Sequence, residues 1–331
     1  MRIAVDGFGG DYSPEEVVKG CIDAVEKDSD LHIVLVGNQE ILEKSVHETY
    51  NGDKISFFDA PEIITCEEDP MMAVRRKRNS SLVKTFELLK DGVVDGGVSA
   101  GSSGAVLTAG YFVTKRIEGV LRPCLIPELP TLTDGTVALA DCGANVDSTP
   151  EYLLQFAKMG VAYMQAVRGI ENPRVGILNN GAEDTKGNDL TKKAFALLKE
   201  SDLNFVGSCE ARDILSGNFD VVVSDGFDGN IALKSAEGTA NAIFSLLKDG
   251  MEKSLRAKLG ALLLYPVLKN IKKKLDYTNK GGAGLVGIKK PFVKCHGSSK
   301  AKTFTAAILQ CAEMAKGDLC AKIESLLEKN K

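Results

Sequence analysis

Short apolar runs rich in β-branched residues alternate along this chain with longer stretches in which apolar residues recur at helical spacing. Runs of the first kind are typical of buried strands, and the longer stretches are typical of amphipathic helices. The pattern predicts one strand ending at position 98 and others at 2–5, 33–36, 55–58, 136–139, 174–178, 205–206, 221–223 and 291–294. Because strands and helices alternate, we expect an α/β protein with a parallel sheet.

Polar or glycine-rich loops follow five of these strands, after positions 5, 98, 139, 178 and 223. The clearest case is the stretch 221–234, in which a strand passes through Asp225, Gly226 and Asn230 into a helix predicted over 231–247. In open α/β sheets, ligands bind where the carboxyl ends of strands meet the N-termini of helices. Five such loops on the same edge of one parallel sheet predict a cleft at that edge.

Two of these loops carry features that suit an anion. Ser102, Ser103 and Gly104 stand at a predicted helix start, where backbone N–H groups of small residues form an anion site without a charged side chain. Packing of small residues explains part of that pattern. The loop after position 178 carries Lys186, which would serve as a point charge for phosphate, although a surface lysine in a flexible loop is equally consistent with the sequence.

The first glycine-rich loop does not form a dinucleotide fingerprint, because Tyr12 stands where the third glycine is needed. The residues that follow predict a helix start. Ser13 is expected to be its cap, Pro14 to occupy its first turn and Glu16 to complete a capping box.

His296 follows the last predicted strand and precedes Gly-Ser-Ser at a helix start. A single histidine at a strand end is more often structural, but the neighbouring hydroxyls of Ser298 and Ser299 favour a role in the site. The basic cluster at 75–78 is open to two interpretations. Such clusters are usually solvated faces, and the alternative is contact with phosphate or with an acidic partner protein.

Composition narrows the functional classes. A chain of 331 residues can form one large α/β domain or two smaller ones, and a net charge of -4 gives no reason to expect nucleic acid. The eight cysteines show no zinc-type spacing, so we expect free thiols in a reducing cytoplasm and no metal site. No signal peptide is recognisable, and the apolar run 259–268 is too short to span a membrane.

Residues 252–277 differ from the rest of the chain. Apolar residues recur there at helical spacing, interrupted by Pro266, and seven lysines and arginines lie between them over 253–274. A basic amphipathic helix pair can lie on an anionic membrane surface, at roughly 1 kcal/mol per cation near the surface. The alternative is a helical hairpin whose apolar face packs in a dimer interface, and both can hold together.

Seven short motifs, spread in order over nearly the whole chain, match one known family. They are 2–6 with Gly9-Gly10-Asp11, 99–101 with Gly104-Ala105, Asp141 with 143–145, 186–188, 225–227 with Gly229-Asn230, 281–283, and 296–299. As a set they resemble the bacterial phosphate acyltransferase family (PlsX) of phospholipid synthesis. The chain departs from the family's usual residues at Phe8, Ser102, Ser103, Asn180, Ala182 and Gly284.

The resemblance implies a single domain over 1–331, from which residues 252–277 protrude. The implied fold is a three-layer α/β/α arrangement like that of isocitrate and isopropylmalate dehydrogenases and of phosphotransacetylases. The implied reaction moves a long-chain fatty acyl group from acyl carrier protein to inorganic phosphate, giving acyl phosphate for phosphatidic acid synthesis. A cytoplasmic homodimer, attached peripherally to the membrane through 252–277, is expected, with the downstream glycerol-3-phosphate acyltransferase as a further partner.

The resemblance and the chemistry agree on the type of site. Phosphate is already a nucleophile, so the reaction needs an anion site and donors for the developing oxyanion, without metal or cofactor. We expect Lys186 to orient phosphate and Asn230 to hold phosphate or the carbonyl oxygen. The other expected ligands are Ser102, Ser103, Gly104, Asn145, Asn188, Gly229, His296, Ser298 and Ser299. The alternatives are a phosphotransacetylase acting on short acyl-CoA and a non-catalytic, membrane-associated scaffold of lipid enzymes.

Overall fold

The computed structural model describes residues 1–275 and 280–328. Its strands are β1 (Arg2–Asp6), β2 (His32–Gly37), β3 (Ile55–Asp59), β4 (Gly96–Ser99), β5 (Cys124–Ile126), β6 (Glu128–Pro130), β7 (Thr136–Ala140), β8 (Val175–Asn179), β9 (Phe205–Glu210), β10 (Val221–Val223), β11 (Ala283–Val286) and β12 (Phe292–Lys294). Its α-helices are α1 (Glu15–Lys27), α2 (Gln39–His47), α3 (Pro70–Arg76), α4 (Ser81–Lys90), α5 (Ser103–Ala109), α6 (Pro150–Arg168), α7 (Asp189–Glu200), α8 (Gly226–Glu252), α9 (Leu255–Leu275), α10 (Ala301–Lys316) and α11 (Leu319–Glu328).

These strands form two sheets. The first has the order β3-β2-β1-β4-β12-β11-β5 and the second the order β6-β7-β10-β8-β9. Among the strands of the described residues, β11 is antiparallel to both of its neighbours, β12 and β5, and β6 is antiparallel to β7, while the other pairs are parallel. The predicted α/β class with mostly parallel strands is confirmed. The expectation that one sheet carries all five polar loops was wrong, because the loops after β1 and β4 belong to the first sheet and those after β7, β8 and β10 to the second.

Alternation along β1 shows how the helices are layered. Ile3 and Val5 point into a cluster with residues of α1 and α10, whereas Ala4 points to the opposite face, where α4 packs. The second sheet is covered by α6, which also packs against α10 of the first sheet. Buried residues of both sheets, such as Ile3 and Val221, therefore belong to one continuous apolar cluster. The two sheets are held together through this helical layer.

The start of α1 differs from the sequence prediction. The hydroxyl of Ser13 donates to the carbonyl oxygen of Gly10 at 2.9 Å and does not cap the helix. The carboxylate of Glu16 accepts from the backbone N–H of Ala301 at 2.8 Å. The predicted capping box is thus wrong, because Glu16 satisfies an orphan donor at the start of α10, the helix that packs against α1, and not at the start of its own helix.

The helices predicted over 231–247 and 252–277 are both present, but their boundaries differ from the prediction. The helix after β10 begins at Gly226, earlier than the predicted 231, and α9 continues through Pro266 where an interruption was expected. The helix pair therefore consists of α8 and α9, which pack against each other. Positions 276 and 277 of the predicted segment lie outside the described residues. Within the described part, no helix is both long and apolar enough to cross a membrane.

Many large apolar side chains of this pair face solvent. Leu262 and Leu263 are 70% and 76% exposed, and Leu246 on α8 is 71% exposed. A helix of a globular protein normally turns such residues towards the core. The apolar face of α8 and α9 is therefore not covered by the described part of this chain.

Candidate active site

A cavity of about 850 Å³ lies between the two sheets. Its walls come from the loop after β7, the first turns of α8, the start of α5, the segments flanking β5 and β11, and the segment that follows β12. Since β11 runs antiparallel, its first residues lie at the edge where the parallel strands end. The cavity thus occupies the position at which α/β sheets bind ligands.

The first turn of α8 is pressed against the loop after β7. Asp225 caps the helix by accepting from the N–H of Asp228 at 2.7 Å. A Cβ atom at Gly229 would overlap the carbonyl oxygen of Asp141, so this glycine permits close approach of helix and loop. Gly229 itself does not line the cavity, whereas the next residue, Asn230, does. Its side-chain amide makes no hydrogen bond to any residue in the described ranges, which leaves it available to a ligand.

The loop after β7 is organised by the buried carboxylate of Asp141. It accepts from the backbone N–H groups of Leu125, Ala144 and Asn145 and from the side-chain amide of Asn145, at 2.7 to 3.3 Å. Burial raises the pKa of Asp141, and these donors oppose that effect. The amide of Asn145 also donates to the carbonyl oxygen of Pro123 at 2.8 Å. Asn145, an expected phosphate ligand, therefore stabilises the loop after β7 and does not line the cavity.

A second buried carboxylate, that of Asp6, links the loops after β1 and β4 through hydrogen bonds. The buried carboxylate of Asp6 accepts from the hydroxyl of Ser99 at 2.6 Å, and that hydroxyl accepts from the N–H of Gly101 at 2.9 Å. Burial raises the pKa of Asp6. Of the three small residues expected to bind phosphate here, only Ser103 lines the cavity. Ser102 precedes the helix, and a Cβ at Gly104 would meet the ring of Pro70 at 2.6 Å, which indicates a packing contact.

The segment after β12 contributes most of the polar wall. His296, Ser298 and Ser299 all line the cavity, as expected. The imidazole Nδ1 of His296 lies 2.8 Å from the hydroxyl of Ser298. Burial, followed by the charges of Lys294 and Lys234, lowers the pKa of His296, so its neutral form is favoured. The hydroxyl of Ser299 is buried and has no hydrogen-bond partner among the described residues.

Lys186 and Asn188 lie apart from this cavity. Both are exposed on the loop between β8 and α7, and neither belongs to the lining. The side chain of Asn188 caps α7 by accepting from the N–H of Thr191 at 2.9 Å. Because β8 pairs with β10, this loop follows the strand beside the one that leads into α8. Lys186 therefore stands at the correct edge of the second sheet without contributing to the cavity wall.

Two lysines to which the sequence pattern assigned no role line the cavity. Lys294 is the last residue of β12, and Lys234 lies one helical turn beyond Asn230 on α8. Helical spacing from Asn230 was a usable signal for Lys234. For Lys294 the signal was its place as the final residue of a strand directly before His296.

The cavity also has an apolar wall and one thiol. Leu125, Leu129 and Leu233 supply apolar surface, and Cys142 supplies the thiol. Burial raises the pKa of Cys142 far above its ordinary range, with the Asp141 charge adding to the effect. A thiol in that state is a poor nucleophile. The geometry favours binding of an anion and of an apolar group over covalent catalysis through this cysteine.

The sequence profile of the family described as "Fatty acid synthesis protein" matches residues 1–322. The chain is 48% identical over 329 residues to a phosphate acyltransferase of Geobacillus thermodenitrificans, an alignment that covers 99% of both chains. A phosphotransacetylase structure from Streptococcus pyogenes shares the fold, with 18% identity, a TM-score of 0.65 and coverage of 95% of this chain and 94% of that one.

A second fold neighbour is a 4-hydroxythreonine-4-phosphate dehydrogenase structure from Klebsiella pneumoniae. Its TM-score is 0.56 at 11% identity, and the match covers 95% of this chain and 99% of that one. At such identities the two structures show the fold alone, and they confirm the expected phosphotransacetylase-like and dehydrogenase-like architecture. The profile match over residues 1–322 and the relative at 48% identity settle the family: this chain belongs to the fatty acid synthesis protein family and, within it, to the phosphate acyltransferases.

Proposed function

We propose that this enzyme transfers a long-chain fatty acyl group from acyl carrier protein to inorganic phosphate, giving acyl phosphate for phosphatidic acid synthesis. One observation carries the proposal. The cavity between the sheets combines cationic and neutral donors with an apolar wall at the ends of strands from both sheets. Such a site can hold a phosphate beside a thioester carbonyl and bind the start of an acyl chain.

The proposed step is a direct displacement. A phosphate oxygen forms a bond to the thioester carbonyl carbon, the carbon–sulfur bond breaks, and the proton of hydrogen phosphate passes to the departing thiolate. The products are acyl phosphate and the free carrier thiol. Holding two reactants in line supplies much of such a rate enhancement, and donors aimed at the developing oxyanion supply more. The side-chain amide of Asn230 lines the cavity and makes no hydrogen bond to a described residue. Asn230 is therefore proposed to donate a hydrogen bond to the developing oxyanion or to phosphate.

Ser103, His296, Ser298 and Ser299 are the other expected phosphate ligands that line this cavity. A neutral His296 can donate a hydrogen bond to phosphate without adding a fixed charge, which its lowered pKa supports. Lys186 remains proposed as a phosphate-orienting residue, and reaching the cavity would require the exposed loop between β8 and α7 to move. Ser102, Gly104, Asn145, Asn188 and Gly229 would then act by shaping the loops, not by touching phosphate.

We also propose that the apolar face of α8 and α9 attaches the enzyme to an anionic membrane surface, as a homodimer. The exposed leucines of α9 and the lysines between them support this placement. A product that carries a fatty acyl chain partitions into membranes, so attachment would deliver it to the next acyltransferase, the proposed downstream partner.

The reaction is tested with purified protein, a palmitoyl thioester of acyl carrier protein and inorganic phosphate. With radiolabelled phosphate as the acceptor, label should pass into acyl phosphate in an amount equal to the carrier thiol released, and no thiol should be released when phosphate is left out. The matched comparison replaces the donor with acetyl-CoA. Preference for acetyl-CoA would favour the phosphotransacetylase alternative, and absence of phosphate-dependent thiol release with either donor would favour the scaffold alternative.

A further inference from the structure

Lys294 is a cation placed in the cavity without a carboxylate partner. It ends β12, opposite Ser99 of β4, and its partly buried side chain lines the cavity. Among residues 1–275 and 280–328, no carboxylate lies within ion-pair distance of its amine. Burial lowers the pKa of Lys294 and the charge of Lys234 adds to that effect, while Cys295, Cys66 and the more distant carboxylate of Asp11 oppose it.

An arrangement of this kind is costly for a purely structural lysine. Buried charges in proteins are normally paired, because removing an ammonium group from water costs several kcal/mol unless an opposite charge replaces the water. A carboxylate acts on each of the two cavity lysines at longer range than an ion pair, Glu237 on Lys234 and Asp11 on Lys294. Lys234 is exposed to water, whereas Lys294 is partly buried and forms no ion pair with a described residue, so an anionic ligand would offset a desolvation cost that Asp11 offsets only in part.

A second, independent feature points to the same ligand. Ser299 is only 6% exposed, lines the cavity, and has a hydroxyl without a hydrogen-bond partner among the described residues. Its backbone N–H is already used by the carbonyl oxygen of His296 at 3.0 Å. A buried hydroxyl without a partner is uncommon in proteins. An acceptor oxygen in the cavity would satisfy it.

Nucleophilic attack by the Lys294 amine on the thioester is a poor alternative. It would form an amide, which does not pass its acyl group on to phosphate, so the enzyme would stop after one turnover. We propose that the Lys294 ammonium and the Ser299 hydroxyl bind the phosphate oxyanion directly. This inference rests on the proposed function for the identity of the phosphate, which is either the free acceptor or the phosphodiester of the carrier's prosthetic group.

The first experiment uses inorganic phosphate alone as the probe. Its dissociation constant is measured by calorimetry for the wild type, Lys294→Met and Ser299→Ala. Lys289→Met serves as the matched control, because Lys289 is exposed just before the same strand and does not line the cavity. We expect Lys294→Met to bind phosphate about 10- to 100-fold more weakly and Ser299→Ala about 5-fold more weakly. The control should match the wild type.

Steady-state kinetics then separate the two sources of phosphate. A raised KM for inorganic phosphate with an unchanged KM for the acyl donor assigns the site to the acceptor, and the reverse pattern assigns it to the carrier's phosphodiester. Lys294→Arg, which keeps the charge, should recover part of the lost affinity. Melting curves without phosphate show whether each variant is folded. The inference is overturned if Lys294→Met binds inorganic phosphate within twofold of the wild type and keeps both KM values. Because binding is measured without a donor, it can succeed even if no acyl phosphate forms.

Discussion

Glu128 and Arg168 form an ion pair at the wall of the cavity. The contacts of this pair allow the loss of stability on removing one partner to be predicted. Glu128 lines the cavity, yet its side chain has no exposed surface in its pairing with Arg168. Arg168 donates to both carboxylate oxygens, at 2.7 and 2.9 Å, and Tyr163 donates a third hydrogen bond at 2.7 Å. Gln310 donates to the Tyr163 hydroxyl and to the carbonyl oxygen of Gly282, so this network also holds the glycine segment before β11.

Replacing Arg168 with leucine should leave the Glu128 carboxylate buried with one donor. Removing one partner of a buried ion pair costs about 3–5 kcal/mol, and Arg168 retains 29% exposure, so we expect about 3 kcal/mol. The free energy of unfolding would be measured by urea denaturation followed by circular dichroism. The matched control is Arg174→Leu, which breaks an equally bidentate pair with Asp220 in which the arginine is 42% exposed. There we expect about 1 kcal/mol.

A double variant separates the missing pair from the missing arginine packing. Combining Glu128→Gln with Arg168→Leu removes the buried charge as well, so most of the lost stability should return. The reasoning fails if Arg168→Leu costs no more than Arg174→Leu, or if the double variant is less stable than Arg168→Leu alone. Either result would mean that water already solvates the Glu128 carboxylate.

Three further changes test other parts of the molecule. Asn230→Ala should lower kcat about 100-fold with an unchanged circular dichroism spectrum, as for loss of one oxyanion donor, and near-normal turnover would contradict its assigned role. Burial lowers the pKa of His296, so the unfolded chain takes up that proton first and stability falls as the pH drops below about 6.5. His296→Gln should therefore flatten the pH dependence of the unfolding free energy between about pH 7 and 5, and parallel curves would exclude this cause. Leu262→Glu should reduce flotation with anionic vesicles relative to Lys289→Met, and equal flotation would remove α9 as the attachment surface.

Much of the fold was predictable because it depends on short-range patterns. Each strand predicted from an apolar run is present within a few residues. Of the five polar loops, those after β4 and β7 contribute to the cavity wall, as do the first turns of the helix after β10. The division into two sheets was not predictable, because it depends on which strands pair across the chain. Pairing of β12 with β4 and of β10 with β7 joins segments that are far apart in sequence. Nothing in the local pattern of either segment specifies its neighbour.

The site was predictable at the level of loops and less so at the level of side chains. Asn230, His296 and Ser299 follow strand ends and do line the cavity. Asn145 and Asn188 also follow strand ends, but their amides support their own loops. Asparagine readily satisfies nearby backbone groups, so its presence in a loop does not separate the two roles. Lys294 was missed because the direction of a side chain at the last position of a strand depends on the register with its neighbour.

The position of β12 has a consequence for synthesis of the protein. This strand lies between β4 and β11, so the edge of β4 remains without a hydrogen-bonding partner until residues near 294 have left the ribosome. Until then the first four strands present an open edge that can pair with another chain. We therefore expect nascent chains truncated before β12 to aggregate or to recruit chaperones, while chains that extend through α10 fold unaided. The order in which the ribosome delivers the segments, as well as their final contacts, thus limits how this enzyme reaches its native state.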